Sequence, residues 1–204
     1  MLTNALQQTD RANWLEYGLT EYALVVQPDK AVAEKIVLEK KKFATDYRKP
    51  GTIPPQSYIT VACFLGKAQM AETAMRWIQN ICNRHPQFLV TLEAFSGIVP
   101  HTLFLQIRDA RPFKQLANSL KALDPFIRAN ECPPLKLINR PYLPLARKLP
   151  EALYFKALQH YLQRPFQQSF LAKELLLVKR TNQLAPYQTA TVFPLPSEQP
   201  AFYN

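Results

Sequence analysis

Glycine is scarce in this sequence, with four residues among 204. Phosphate-binding loops of the GxGxxG and GxxxxGK[ST] types need closely spaced glycines, so both loop types are excluded. Cysteine is also rare, and the three residues, Cys63, Cys82 and Cys132, form no CxxC pair. An odd, scattered set of cysteines favours reduced thiols over a disulfide framework, and this predicts a cytoplasmic location.

Long apolar runs and metal-binding patterns are absent as well. No segment approaches the roughly 18 uninterrupted apolar residues of a membrane span. Residues 1–20 show no basic segment followed by an apolar one, so no secretory signal and no membrane partner are predicted. The three histidines, His85, His101 and His160, have no partner at the spacing of metal ligands. The sequence therefore predicts no metal and no cofactor.

Acidic residues are few in one part of the chain. Residues 111–180 contain 13 basic and 4 acidic residues, a net charge of +9, whereas the whole chain carries +10. A local excess of this size favours phosphate-bearing partners such as RNA. The alternative is that the charge serves solubility alone. The sequence makes no prediction of the oligomeric state.

Apolar periodicity predicts seven strands and four helices, arranged as a loose internal duplication. The predicted strands cover residues 21–27, 58–64, 88–95, 102–108, 142–146, 170–180 and 187–193. The predicted helices cover residues 30–42, 68–84, 111–123 and 151–163. Strands mixed with helices that pack outside them indicate an α+β fold with two similar lobes facing each other. The predicted domain covers residues 21–193, between an N-terminal preface at residues 1–20 and an irregular tail at residues 194–204.

Two of the predicted strands share a pattern. Residues 58–66 read YITVACFLG, and residues 141–147 read PYLPLAR. These segments resemble the paired motif strands of the 2H phosphoesterase superfamily, which includes bacterial 2'-5' RNA ligase-like proteins and RNA 2',3'-cyclic phosphodiesterases. The family motif is His-x-Thr/Ser-x, and its two copies often read HLTLAFLG and PHVTLAR.

The resemblance covers most of residues 21–193, because the order of elements also agrees. It implies a bilobal fold in which two mostly antiparallel sheets face a central cleft, with helices outside. In the family, one motif histidine takes a proton from the attacking water or hydroxyl, and the other gives a proton to the leaving oxygen. The Thr/Ser hydroxyl helps to hold the phosphate. Histidine suits this work because it gains and loses protons near neutral pH.

The residues at the motif positions differ from the family pattern. Tyr58 and Tyr142 stand in place of the histidines, Thr60 is retained, and Pro144 replaces the second hydroxyl. Tyrosine has an ordinary pKa of about 10, so at neutral pH it donates hydrogen bonds well and accepts protons poorly. The four positions form a degenerate motif. We expect the two-histidine reaction to be lost, and we assign no catalytic residue from the sequence.

What remains is a candidate ligand-binding site. The resemblance places Tyr58, Thr60 and Tyr142 in the cleft, with Arg147 and Lys148 nearby. Phenol hydroxyls donate to phosphate oxygens, and their rings stack on bases. We therefore expect a divergent 2'-5' RNA ligase-like protein that binds a nucleotide, an RNA end or another phosphorylated ligand.

Two alternatives stay open. In the first, the protein is an active phosphodiesterase or cyclic phosphodiesterase that uses Tyr58 and Tyr142, or a neighbouring base, and one tyrosine has a strongly lowered pKa. In the second, it is a non-enzymatic interaction protein whose tyrosines fill the cleft. Two further residues are interpreted as structural. His101 is placed at a hairpin end, and Cys63 in the core, on the face opposite Tyr58 if its strand has no bulge.

Overall fold

The computed structural model describes residues 18–182 and 185–197. The strands in these residues are β1 (Leu19–Val26), β2 (Ile59–Lys67), β3 (Phe88–Ile98), β4 (Thr102–Ile107), β5 (Lys136–Leu137), β6 (Tyr142–Ala146), β7 (Gln167–Ala172), β8 (Glu174–Arg180) and β9 (Gln188–Pro194). The α-helices are α1 (Lys30–Tyr47), α2 (Ala71–Cys82), α3 (Arg111–Leu120), α4 (Asp124–Ala129) and α5 (Glu151–Leu162). None of these helices combines the length and the apolar character that a bilayer-spanning segment needs.

The strands form two antiparallel sheets. The order in the five-stranded sheet is β5-β2-β1-β8-β9, and the order in the four-stranded sheet is β6-β4-β3-β7. The α+β fold class with two antiparallel sheets is confirmed. The sheets do not correspond to successive halves of the sequence, however, because the five-stranded sheet takes strands from both ends of the described chain.

Helix α1 shows how local signals set the boundaries of an element. The Asp29 carboxylate caps its N-terminus by accepting a hydrogen bond from a first-turn backbone N–H at 2.9 Å. Its C-terminus is closed by Arg48, which adopts a left-handed backbone with φ 49°. The helix runs past its predicted end at residue 42. Phe43 still packs in the core there, with its ring centroid 5.9 Å from that of Tyr161 on α5.

One predicted strand is wrong. The segment at residues 170–180 forms parts of two strands in different sheets, because β7 pairs with β3 while β8 pairs with β1. Lys173 separates the two strands, and its carbonyl accepts a hydrogen bond from the Leu195 N–H at 2.8 Å. The chain changes sheet at this residue, where the charged pair Lys173 and Glu174 interrupts an otherwise apolar run.

Two short elements are absent from the sequence prediction. Helix α4 follows α3 after a 3-10 turn at Lys121–Leu123. Strand β5 adds two residues to the edge of β2, and the Ile138 N–H continues the pairing by donating to the Val61 carbonyl at 2.9 Å. Strand β5 matters for the site, because it brings Lys136 to the cleft.

The five-stranded sheet is apolar on both faces. Most buried residues belong to one core between the sheets and the helices. A smaller apolar group, formed by Ala23, Val25, Leu176 and Val178, lies on the opposite face of the sheet, because these residues alternate with core residues along β1 and β8. We call it the cleft-side group, since Tyr58, Cys63 and Tyr187 pack against it.

Candidate functional site

The two motif strands, β2 and β6, lie in different sheets and contact each other. Each carries a β-bulge three residues after its tyrosine. The extra residue is Val61 in β2 and Leu145 in β6. A bulge changes which side chains face the cleft, and bulges often accompany functional sites. The two strands thus share a distortion as well as a sequence pattern.

The bulge in β2 corrects the interpretation of Cys63. An undistorted strand would place Cys63 on the face opposite Tyr58, because side chains alternate. The extra residue, Val61, reverses this alternation, so Tyr58, Thr60 and Cys63 share the face that looks toward the cleft. Cys63 is therefore half-buried at the cleft instead of lying in the main core.

A cavity of about 390 Å³ lies between the two sheets. The five-stranded sheet and its loops contribute Glu21, Thr60, Cys63, Lys136, Arg180 and Tyr187 to its lining. The four-stranded sheet and its loops contribute His101, Thr102, Tyr142, Arg147 and Lys148. The volume lies in the usual range of small-molecule sites, roughly 300–1,000 Å³.

Positive charge dominates this cleft. Its basic side chains are Lys136, Arg147, Lys148 and Arg180. The one carboxylate among its described lining residues, Glu21, is already paired. Arg180 Nε lies 2.5 Å from Glu21 Oε2, and the Tyr187 hydroxyl donates to the same oxygen at 2.9 Å. Burial and the charge of Glu21 raise the pKa of Tyr187 above its usual range, so this phenol stays protonated.

The segment that carries two of these cations is held at both ends. The Arg147 N–H donates to the Thr52 carbonyl at 2.7 Å, and the Leu149 N–H donates to the His101 carbonyl at 3.0 Å. Lys148 lies between them with a left-handed backbone, φ 54°. This conformation costs a non-glycine residue about 1–2 kcal/mol. Strain of this kind is often found at binding sites, where the surrounding structure maintains it.

The degenerate motif positions differ in their exposure to the cleft. Thr60 and Tyr142 line the cavity, and the Tyr142 ring packs against Phe104 with centroids 4.8 Å apart. Tyr58 packs instead on the cleft-side group and is not among the described lining residues. Burial raises the pKa of the Tyr58 phenol. Pro144 is buried and does not line the cavity either.

His101 lies at the hairpin end, as predicted, and it also lines the cleft. His101 is part of the β3–β4 turn, where strand alternation does not apply. Thr102 lines the cleft beside it. The residues described in the structure contain no group of three His, Cys, Asp or Glu side chains that could hold a metal ion.

Solved structures share this arrangement of two sheets. E. coli LigT in its apo form superposes with a TM-score of 0.66 at 18% identity, over 88% of this chain and 99% of the LigT chain. The chain has the 2H phosphoesterase fold of LigT. The complex of E. coli LigT with 3'-AMP gives a TM-score of 0.64 at 19% identity, over 87% of this chain and 98% of that one.

The LigT fold also occurs in the protein TT0787 of Thermus thermophilus, with a TM-score of 0.62 at 19% identity, over 88% of this chain and all of that one. No family model and no curated protein matches the sequence. At these identities the likeness to LigT concerns the fold, and the function must be argued from the cleft.

Proposed function

We propose that this protein binds a nucleotide, an RNA end or another phosphorylated ligand in the cleft between its sheets, and that the two-histidine reaction is lost. The observation that carries the proposal is the cavity of about 390 Å³ with basic side chains from three separate segments of the chain. Converging Arg and Lys side chains are the usual partners of phosphate groups.

The uncharged residues of the cleft suit the rest of a nucleotide. The hydroxyls of Thr60 and Tyr142 can donate to phosphate or ribose oxygens, and the Tyr142 ring offers a face on which a base can stack. E. coli LigT has been crystallised with 3'-AMP, NADP+, ATP and phosphate. All of these ligands carry phosphate, which supports a phosphorylated ligand for a cleft of the same fold.

The motif tyrosines support the loss of the two-histidine reaction. A phenol that accepts a proton at neutral pH needs a pKa lowered by about three units. Burial shifts the pKa of Tyr58 in the opposite direction. Pro144 has no hydroxyl to hold a phosphate. Neither motif copy therefore retains its histidine, and only the first copy, through Thr60, retains the hydroxyl.

The open cavity argues against an interaction protein with a filled cleft. Tyr142 packs on Phe104, and Tyr58 packs on the cleft-side group, so neither ring closes the space between the sheets. A cytoplasmic location is part of the proposal, because no disulfide joins any of the three cysteines, Cys63, Cys82 and Cys132.

Titration with 3'-AMP tests the proposal directly. We expect the variant Arg147→Gln/Lys148→Gln to bind 3'-AMP at least about tenfold more weakly than the wild type, because two charge-assisted contacts to phosphate are removed. Isothermal titration calorimetry at low and high salt measures this, and the wild-type affinity should fall as salt rises.

The matched control for that variant is Lys114→Gln/Lys121→Gln. It removes the same charge from exposed positions on and beside α3, which do not line the cleft. Its affinity for 3'-AMP should remain within about twofold of wild type, since long-range charge effects are screened. Equal weakening by both double variants, or no binding by the wild type, would rule out the cleft as the ligand site.

The variants Tyr58→Phe and Tyr142→Phe test the role of the tyrosines. We expect both variants to retain whatever turnover of 2',3'-cyclic nucleotides or 2'-5' linked oligonucleotides the wild type shows. Tyr142→Phe should weaken 3'-AMP binding by up to about tenfold, because one hydrogen bond to a charged group is worth roughly 1.5 kcal/mol. Tyr58→Phe should have a smaller effect, since Tyr58 lies beside the cavity. Turnover that disappears in either variant would show that the tyrosines have replaced the histidines.

A further inference from the structure

His101 is the one histidine of the chain that lines the cleft. The other two lie elsewhere: His85 Nε2 is 2.8 Å from the Ser119 hydroxyl, and His160 Nδ1 is 3.0 Å from the Tyr47 hydroxyl. The His101 side chain is exposed at the cavity. It is therefore the only imidazole that a ligand in the cleft can reach.

One contact sets the tautomer of His101. Its Nδ1 lies 3.1 Å from the carbonyl oxygen of Leu149. A carbonyl oxygen only accepts hydrogen bonds, so Nδ1 must be the donor and must carry a proton. In the neutral ring, Nε2 then holds the lone pair. The imidazole is thus oriented as a general base, with one nitrogen anchored and the other available.

His101 and the cationic segment form one unit. The Leu149 N–H donates to the His101 carbonyl at 3.0 Å, and the Leu149 carbonyl accepts from the His101 ring, so the two residues are joined by reciprocal bonds. Arg147 and Lys148 immediately precede Leu149 and line the same cavity. A phosphate held by these cations therefore lies in the part of the cleft that contains the imidazole.

We infer that His101 is the proton acceptor for hydrolysis of a nucleotide phosphodiester in this cleft, outside the two motif positions. The inference rests on the proposed binding of a phosphorylated ligand and adds a reaction to it. A positioned general base contributes typically 10²–10⁴-fold to a rate. Basic side chains around the phosphate also stabilise the charge that develops during attack.

The reaction consumes one water. The water oxygen forms a bond to phosphorus while His101 Nε2 takes one of the water protons. The phosphorus–oxygen bond to the leaving alcohol breaks, and the leaving oxygen takes a proton from solvent in the open cleft. The imidazolium then returns its proton to solvent. The product is a phosphomonoester and a free hydroxyl, and nothing is oxidised or reduced.

His101→Asn separates the proposed reaction from a purely structural role. The Asn amide N–H₂ occupies a position close to that of Nδ1, so it keeps a donor for the Leu149 carbonyl and lacks the Nε2 base. Turnover is measured with 2',3'-cyclic AMP and with bis(p-nitrophenyl) phosphate, whose leaving group needs no proton. Binding of 3'-AMP is measured on the same preparations. The matched control is His160→Asn on helix α5, which does not line the cleft.

We expect His101→Asn to lower kcat for both substrates by about 10²-fold or more while 3'-AMP affinity and stability stay close to wild type. Unchanged turnover in His101→Asn would overturn the inference and leave His101 as a turn anchor. A loss confined to 2',3'-cyclic AMP would also overturn it, because His101 would then be a proton donor.

Failure of the inference is distinguishable from failure of the proposed function. A wild-type protein that binds 3'-AMP but hydrolyses neither substrate would overturn the role of His101 and leave the cleft as a binding site. A wild-type protein that binds no 3'-AMP would overturn both statements.

Discussion

Replacing Gly97 with alanine is expected to lower the free energy of unfolding by about 3 kcal/mol, at the upper end of the usual cost of overpacking a core. Gly97 lies on β3, against which helix α5 packs. A Cβ atom at this position would overlap the hydroxyl oxygen of Tyr154 and would lie 2.9 Å from Cζ of its ring. Tyr154 is completely buried, so its ring cannot move aside unless α5 moves with it.

The Tyr154 hydroxyl accounts for much of the expected loss. It is buried and has no hydrogen-bond partner among the described residues. Its removal alone should therefore change stability by less than about 1 kcal/mol, because no hydrogen bond is broken. In the double variant Gly97→Ala/Tyr154→Phe the severest overlap disappears while the ring carbons remain close. We expect that variant to recover about half of the loss caused by Gly97→Ala.

Urea unfolding of the wild type, both single variants and the double variant gives the coupling between the two positions. Gly51→Ala is the matched control, because nothing lies within 4 Å of a Cβ atom built at Gly51. The free energy of unfolding of that variant should stay within about 0.5 kcal/mol of the wild-type value. Two results would contradict this explanation. One is a Gly97→Ala variant that loses no more free energy of unfolding than Gly51→Ala. The other is a double variant that is no more stable than Gly97→Ala, which would show that the Tyr154 hydroxyl is not what excludes a Cβ atom at position 97.

The motif strands show how far sequence reasoning reaches in this fold. Apolar periodicity was enough to predict the α+β class. The resemblance of two segments to the 2H phosphoesterase motif selected Thr60 and Tyr142, and both residues line the cleft. The position of Cys63 could not be predicted in the same way. A bulge depends on how β2 pairs with β1, and no residue of β2 alone specifies that an extra residue enters at Val61.

The remaining differences also arise from tertiary pairing. The change of sheet at Lys173 depends on β7 pairing with β3 and β8 pairing with β1. The charged pair Lys173 and Glu174 interrupts the apolar run there, but it does not specify which strands pair on either side. Strand β5 has two residues and is defined only by its partner β2. His101 was interpretable from its sequence as part of a turn, but its approach to the cleft depends on the reciprocal bonds with Leu149.

Lys40 connects the stability of the fold to the loop behind the site. It is the one charged residue among those described that is buried, at 6% exposure. Its ammonium group donates to the Pro54 carbonyl at 2.8 Å and to the Gln56 carbonyl at 3.0 Å. The same loop leads into Tyr58 and accepts the hydrogen bond from the Arg147 N–H. Lys40 therefore holds the loop that supports one side of the cleft.

Burial, and after it the positive charge of Arg147, lowers the pKa of Lys40 from 10.5 to about 8. Between these values the unfolded chain keeps a proton that the folded chain has released. The contribution of Lys40 to stability therefore rises with pH through this window and is constant below it, where both states bind the proton. Across the whole window, the contribution of Lys40 to the free energy of unfolding rises by about 3 kcal/mol.

We expect the stability of the wild type relative to Lys40→Met to increase by about 3 kcal/mol between pH 7.5 and pH 10.5. Tyrosines and cysteines titrate in the same range, but both proteins contain them, so their effects cancel in the difference. Urea unfolding under reducing conditions at several pH values measures that difference. Lys41→Met, at an exposed position on the same helix, should show no such change. A difference between wild type and Lys40→Met that stays constant with pH would mean that Lys40 remains charged when folded, and that its two carbonyl partners compensate for burial.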